Sequence, residues 1–337
     1  MKAVLHMTYL DDDATIMNDI RPLLALRVAR FRIDFTAENG WDDISLLPKI
    51  RSKLGYHLKM MNCLEKNFRK TECGGCGRSS QCLYPALFSP LRSATEKGRQ
   101  GQGATPARPF VISVDFIQAP ANGYQKGFVT ITLFGIAVER AKTFLSAAVP
   151  GLESMGFKCC GISWCMPGRS FLSGPCDDNA PHCFLLADWV ESMMDAAFSV
   201  PFRFPKQELV FITPVLLTVS ENGGGAEGIR FQDIVKTLLR RLRDLKRAYG
   251  EGSDMGSVTE DMFRMAESVI TKENSLSFEK RSRYSHNKKR NIPLEGVNGR
   301  VSFDGPYLPF LPLLFAGEII HIGKNTTNGY GRMAVAI

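Results

Sequence analysis

The stretch Ile320-His321-Ile322-Gly323-Lys324-Asn325-Thr326-Thr327-Asn328-Gly329-Tyr330-Gly331-Arg332, followed by the apolar Met333 to Ile337, decides how the chain is read. Glycines 323, 329 and 331 let the backbone turn sharply and bring N–H groups up to an anion, and Lys324 and Arg332 add two cations. A strand-like hydrophobic tail follows. The same residues also suit a glycine-rich hairpin turn entering a final strand. Contact with a phosphate backbone and simple turning are both compatible with this segment alone.

Working outward, the 337 residues are enough for about two domains, and the composition is that of an ordinary globular chain. Lys and Arg number 42 against 34 Asp and Glu, a formal charge of +8 that favours a polyanionic partner without naming it. The acidic run Asp11-Asp12-Asp13 stands where an export signal needs an apolar core, so the chain is expected in the cytoplasm. The apolar run 308–320 is broken by Pro309, Pro312 and Glu318 and is too short to span a bilayer, so no membrane partner is expected.

Residues 29–35 alternate, with Ala29, Phe31, Ile33 and Phe35 on one face and Arg30, Arg32 and Asp34 on the other, which predicts a half-buried strand. Leu47, Ile50, Leu54, Leu58, Met61 and Leu64 follow at helical spacing, weakened by Gly55. Residues 93–108 read as a long polar loop, 128–134 as a strand, 138–149 as a helix, and 159–184 as irregular. Residues 208–219 predict a buried strand whose Pro214 requires a sheet edge or a bulge. Phe231 to Leu245 carry a clear helical stripe ending near Gly250, with Lys236, Arg240, Arg243, Lys246 and Arg247 on the outer face. The run 280–290, KRSRYSHNKKR, sets Tyr284 and His286 among cations including Lys288, Lys289 and Arg290. Such a run suits single-stranded nucleic acid, with cations along the phosphates and a ring stacked on a base.

Cys63, Cys73, Cys76 and Cys82 lie within twenty residues, and Cys73-Gly74-Gly75-Cys76 is a short loop able to turn two thiolates toward one tetrahedral ion. The ion they predict is a structural zinc. Of the five histidines, His57, His286 and His321 stand near cations. Cutting RNA without a metal takes a base for the 2′-hydroxyl, an acid for the leaving 5′-oxygen and a cation for the charge on phosphorus. Histidine with lysine or tyrosine supplies these near neutrality, so His57 with Lys53 and His286 with Tyr284 are the candidate catalytic sets. His321 stands beside the glycine loop.

In this order the motifs resemble the CRISPR-associated endoribonucleases of the RAMP superfamily, which process precursor CRISPR RNA. The likeness runs through Cys73-x-x-Cys76 with Cys82 and Tyr84, Arg108-Pro109-Phe110, Leu133-Phe134-Gly135, Thr213-Pro214, Arg240-Arg241-Leu242, Arg283-Tyr284-Ser285, Gly296-x-x-Gly299 and His321-x-Gly323-Lys324 leading into Gly329-Tyr330-Gly331. It implies an α+β fold of two tandem ferredoxin-like (RRM-like) domains. These are residues 1–205, with a cysteine-rich insertion, and 206–337, with the glycine-rich loop 323–331 facing RNA. It further implies cleavage within CRISPR repeat RNA without a catalytic metal, leaving a 2′,3′-cyclic phosphate and a 5′-hydroxyl, and it places the general acid/base histidine on the first helix, which favours His57. His321, Gly323, Lys324, Gly329, Tyr330, Gly331 and Arg332 would then contact RNA together with Lys288, Lys289 and Arg290. Two other readings keep part of the pattern: a non-catalytic RNA-binding subunit working with other CRISPR effector subunits, and a zinc-binding interaction protein.

Overall fold

The computed structural model describes residues 16–88, 107–117, 123–168, 172–173, 182–199, 206–217, 229–285 and 290–336, apart from 39, 71 and 258. Most of the expected polar loop 93–108, and residues 286–289 of the basic run, lie outside these. The chain divides into two compact units, Val28–Cys165 with Phe171–Cys183, and Met1–Arg27 with Met166–Ser170 and Phe184–Ile337.

The first unit runs β1 (Arg27–Glu38), α1 (Asp43–Asn62), β2 (Phe110–Phe116), β3 (Tyr124–Phe134), α2 (Ala141–Glu153) and β4 (Lys158–Trp164). Its strands lie in the order β2-β3-β1-β4, every neighbouring pair antiparallel. That is the ferredoxin-like βαββαβ arrangement, with the first strand between the third and fourth. The alternation of β1 has the expected cause, since Ala29, Phe31, Ile33 and Phe35 are buried in one core with Leu47, Ile50, Leu54 and Leu58 of α1 and Phe144 and Leu152 of α2. Asp42 starts α1 by accepting a 2.8 Å bond from the Ser45 amide.

Two expectations are corrected in this unit. The stripe of α1 ends at Leu58, while Met61 and Leu64 are 48% and 77% exposed, because the helix is capped at Cys63 and the chain turns away. The tract 159–184 also contains a strand, β4. It was hidden because Cys159, Cys160 and Gly161 break any apolar alternation and only its last residues are deeply buried. Gly55, a weak point by helix propensity, is where Phe88 seats: a Cβ there would fall 2.5 Å from the Phe88 ring.

The second unit repeats the plan with β5 (Glu208–Val215), α4 (Phe231–Tyr249), α5 (Glu260–Ser268), β6 (Ile270–Ser285), β7 (Arg290–Asp304), α6 (Leu311–Ile320) and β8 (Met333–Val335). The helix α3 (Leu186–Phe198) also belongs to this unit. The strand order is β8-β5-β7-β6, again antiparallel and again ferredoxin-like. β5 is an inner strand, so Pro214 marks a bulge and not an edge; the register shifts between Phe211 and Val215. The apolar run 308–320 becomes a 3-10 turn (Leu308–Phe310) followed by α6, with Pro309 and Pro312 at the start of each, where no helical N–H is needed. It is buried on every side, which is why its sequence shows no amphipathic stripe. Phe231, Phe303, Tyr307 and Phe310 pack ring to ring at 5.0–5.9 Å beneath the sheet. Among the described residues no helix is long and apolar enough to cross a membrane.

Candidate functional site

On α1, Lys53, Tyr56 and His57 stand at i, i+3 and i+4 and therefore share one flank of the helix. The flank is legible in the sequence; its electrostatics need the structure. His57 is half-buried and its Nδ1 is enclosed without a hydrogen-bond partner among the described residues. Burial, and after it the Lys53 ammonium, hold the imidazole below its ordinary value of 6.5. It is neutral at neutral pH and able to accept a proton. The Tyr56 ring meets it edge-on with centroids 5.2 Å apart.

Arg69 donates a 2.6 Å bond to the Tyr56 hydroxyl, lays its guanidinium 5.2 Å from that ring, and Phe68 packs on the same ring at 5.6 Å. Sequence reasoning did not single out Tyr56, Phe68 or Arg69. The last two lie in an aperiodic loop, and no local signal says where a loop folds back.

The glycine loop is placed differently from an open phosphate cradle. Its interior is buried: Thr326, Thr327, Asn328 and Tyr330 are each 5% exposed or less. Several of its amides serve internal acceptors, Ile322 to Gly331 O, Lys324 to Leu216 O, Asn328 to Asn325 O and Gly331 to Pro214 O. Thr213 pins the loop, its hydroxyl donating to Gly329 O at 2.8 Å and accepting from the Arg332 amide at 2.9 Å. Gly323 and Gly331 have φ near +78° and +75°, and a Cβ would sit 2.5 Å from Leu216 O and 1.8 Å from Ile322 O respectively. Gly323 is thus required by packing against Leu216, just past β5, and Gly331 by packing against the Ile322 backbone within the loop. What the loop turns outward is Lys324, which is exposed, and part of Arg332.

His321 is 4% exposed and lies 3.2 Å, through Nδ1, from Tyr330 O. A carbonyl only accepts, so Nδ1 carries the proton and the ring braces the loop. Tyr330 is fully enclosed, with no face for a base.

Residues 280–285 of the basic run belong to β6 and Arg290 opens β7, with Lys280 paired to Glu295 and Ser285 to Arg290. Arg290 is exposed, and burial lowers the pKa of Arg283. His286, Lys288 and Lys289 lie outside the described residues, as does the side chain of Tyr284.

The basic face of α4 needs one correction. Lys246 is 4% exposed and points inward, donating to Ala25 O at 3.0 Å and to Glu251 O. Its ammonium ties the segment entering β1 to the segment leaving α4, where the two carbonyls lie outside helical hydrogen bonding. Arg241, which the motif order named without a role, donates a 2.6 Å bond to Ile320 O at the entry to the glycine loop, and burial lowers its pKa to about 10.

The four cysteines of the expected zinc site are all half-buried and free. Among the described residues, no three His, Cys, Asp or Glu side chains are drawn together as a closed metal shell.

A family model for the CRISPR-associated endoribonuclease Cas6 matches residues 209–333, from β5 to β8, and so takes in both the hairpin and the glycine loop. Over that segment the likeness is to the CRISPR-associated endoribonuclease Cas6. A second family model, described as an N-terminal domain, matches residues 26–158. Among curated proteins nothing matches the chain. Solved structures with a related course include a Cas6 product complex, 12% identical over 91% of this chain and 99% of that one, TM-score 0.47. Thermus thermophilus Cas6 is 12% identical over 92% and 98%, TM-score 0.43. A RAMP protein binding different RNA substrates is 10% identical over 92% and 100%, TM-score 0.36. At such scores an overlay assigns neither a site nor a substrate to this chain. The Cas6 match places the glycine loop, Thr213-Pro214 and the β6–β7 hairpin inside one family segment.

Proposed function

We propose that the chain cuts precursor CRISPR RNA within its repeats by attack of a 2′-hydroxyl, with no metal ion in the chemical step. The neutral imidazole of His57 takes the 2′-hydroxyl proton as that oxygen bonds to the adjacent phosphorus. The bond to the 5′-oxygen breaks. The Lys53 ammonium offsets the charge building on the phosphate and gives a proton to the departing oxygen, leaving a 2′,3′-cyclic phosphate and a 5′-hydroxyl. Lys324, Arg332 and the cations Lys288, Lys289 and Arg290 of the basic run hold the RNA backbone, which fixes register and orientation without reading sequence.

The observation that carries this reading is a histidine kept neutral by burial and by a lysine one helical turn away, in a chain whose residues 209–333 match the Cas6 endoribonuclease family. His321 is buried with its Nδ1 against Tyr330 O, so the role is given to the half-exposed His57. The test is repeat RNA carrying a 2′-deoxy substitution at the scissile nucleotide. Cleavage at that bond should cease while binding persists; continued cutting there would remove 2′-hydroxyl attack from consideration.

A further inference from the structure

The chain that leaves α1 folds back onto it. Cys63 caps the helix, its amide on Lys59 O at 2.8 Å, and the Lys70 amide then closes a turn on Asn67 O at 2.8 Å. That turn brings Phe68 and Arg69 to Tyr56, which lies thirteen residues before Arg69. Arg69 holds the Tyr56 hydroxyl by its 2.6 Å bond, and its guanidinium carbon stands 5.2 Å from the centre of the Tyr56 ring and 5.9 Å from that of Phe68. With the hydroxyl tied and the ring packed by two side chains of the turn, the other rotamers of a half-exposed tyrosine are closed to Tyr56.

The fixed ring stands edge-on to the His57 imidazole, 5.2 Å between centres. A general base must keep its nitrogen within reach of the proton it takes, and a histidine in that role is commonly oriented by a hydrogen bond at its second ring nitrogen. His57 has no such bond: its Nδ1 is enclosed and without a partner among the described residues. Packing is then what holds the imidazole, and Tyr56 supplies an aromatic wall for it. We propose, resting on His57 as the general base, that Arg69 is a positioning residue, which fixes Tyr56 and through that ring keeps the imidazole aimed at the 2′-hydroxyl. Arg69 acts at one remove from the imidazole, so its loss should loosen the aim of the base and leave the base itself in place.

Two measurements on the full chain test this: single-turnover cleavage of repeat RNA, and the His57 side-chain NMR resonances of the RNA-free protein at a pH where the imidazole is neutral. Arg69→Ala and Tyr56→Phe should each lower the rate constant at saturating RNA roughly 10-fold, with RNA affinity kept within about twofold. The double variant should be no slower than either single one, because both substitutions remove the same hydrogen bond. Lys70→Ala, which removes the exposed cation next in the chain, should cut at the wild-type rate. The His57 resonances should shift in Arg69→Ala and in Tyr56→Phe and stay in place in Lys70→Ala. Tyr56→Phe keeps the ring and removes only the acceptor, so it carries the test alone if Arg69→Ala fails to fold. Losses that multiply in the double variant, weaker RNA binding at an unchanged saturated rate, or an equal loss in Lys70→Ala would make Arg69 a direct phosphate contact and overturn the positioning role. His57 resonances unmoved in both single variants would overturn it as well. Should the wild type not cut repeat RNA, the cleavage reading falls, and the resonances, read without RNA, decide by themselves whether Arg69 sets the imidazole.

Discussion

The two units of this chain share one strand order and use it in opposite ways. In the first, α1 buries Leu47, Ile50, Leu54 and Leu58 and keeps Lys53, Tyr56 and His57 along a half-open flank. In the second, the polar groups nearest the glycine loop are turned inward: His321 onto Tyr330 O, Arg241 onto Ile320 O, Thr213 onto Gly329 O. A titratable group with an exposed edge is available for proton transfer, whereas one paired with a buried carbonyl holds the backbone in place. The frame does not decide which unit does chemistry. In the function proposed here, the exposure of a helix flank is what assigns the chemistry to the first unit.

The largest expected effect tests the first half of that contrast. His57→Ala should lower the cleavage rate constant roughly 10²- to 10⁴-fold, the usual contribution of a positioned general base, with RNA affinity and thermal stability little changed. Single-turnover assays with repeat RNA check it. His321→Ala should behave the other way, losing stability by about 1–3 kcal/mol from the orphaned carbonyl and the emptied site while any effect on rate follows the fraction folded. If the two variants exchanged phenotypes, the contrast between the units would be wrong.

Gly331→Ala is next. Its Cβ would sit 1.8 Å from Ile322 O at a positive φ, so the loop must move, and a loss of several kcal/mol, on the order of 3, is expected by denaturant titration. Lys246→Met should cost about 1–3 kcal/mol by leaving Ala25 O and Glu251 O without their donor, and should not alter RNA affinity. Lys324→Ala should do the reverse: unchanged stability, and a salt dependence of RNA binding shallower by about one unit. Equal loss of stability in both lysine variants would erase the distinction between inward and outward cations.

Where the sequence was informative, the reason is local. The alternation of β1 and the stripe of α1 report burial directly, and the flank bearing His57 follows from counting residues around the helix. Where it was not, the deciding partner lies far along the chain. Lys246 looks solvated because nothing near it announces the carbonyl of Ala25, 221 residues earlier. The glycine loop reads as either a cradle or a turn because glycine permits close approach both to an anion and to the protein's own backbone, and only the packing around Leu216 and Ile322 separates them. The basic residues 280–285 concealed a strand, since charge density masks the period-two pattern by which β6 pairs with β7. The motif order carried the fold further than propensity did, because order along the chain is a long-range property.

The smallest predicted effect is also the most specific. His57 is held below 6.5 by burial first and Lys53 second, so in the folded protein it binds a proton less readily than in the unfolded chain. Its contribution to stability is therefore present above 6.5 and lost as pH falls through the lower, folded value. Activity should follow the same group: the acid limb of the pH–rate profile should lie below 6.5, since only neutral imidazole takes the 2′-hydroxyl proton. Lys53→Met removes the second cause and leaves the first. The limb should then move upward toward 6.5 without reaching it, along with a fall in the plateau rate from the missing cation. A purely structural Lys53 would lower the plateau and leave the limb where it was, so the position of the limb, measured under single-turnover conditions with saturating RNA, separates an electrostatic partner of His57 from a helix residue that merely neighbours it.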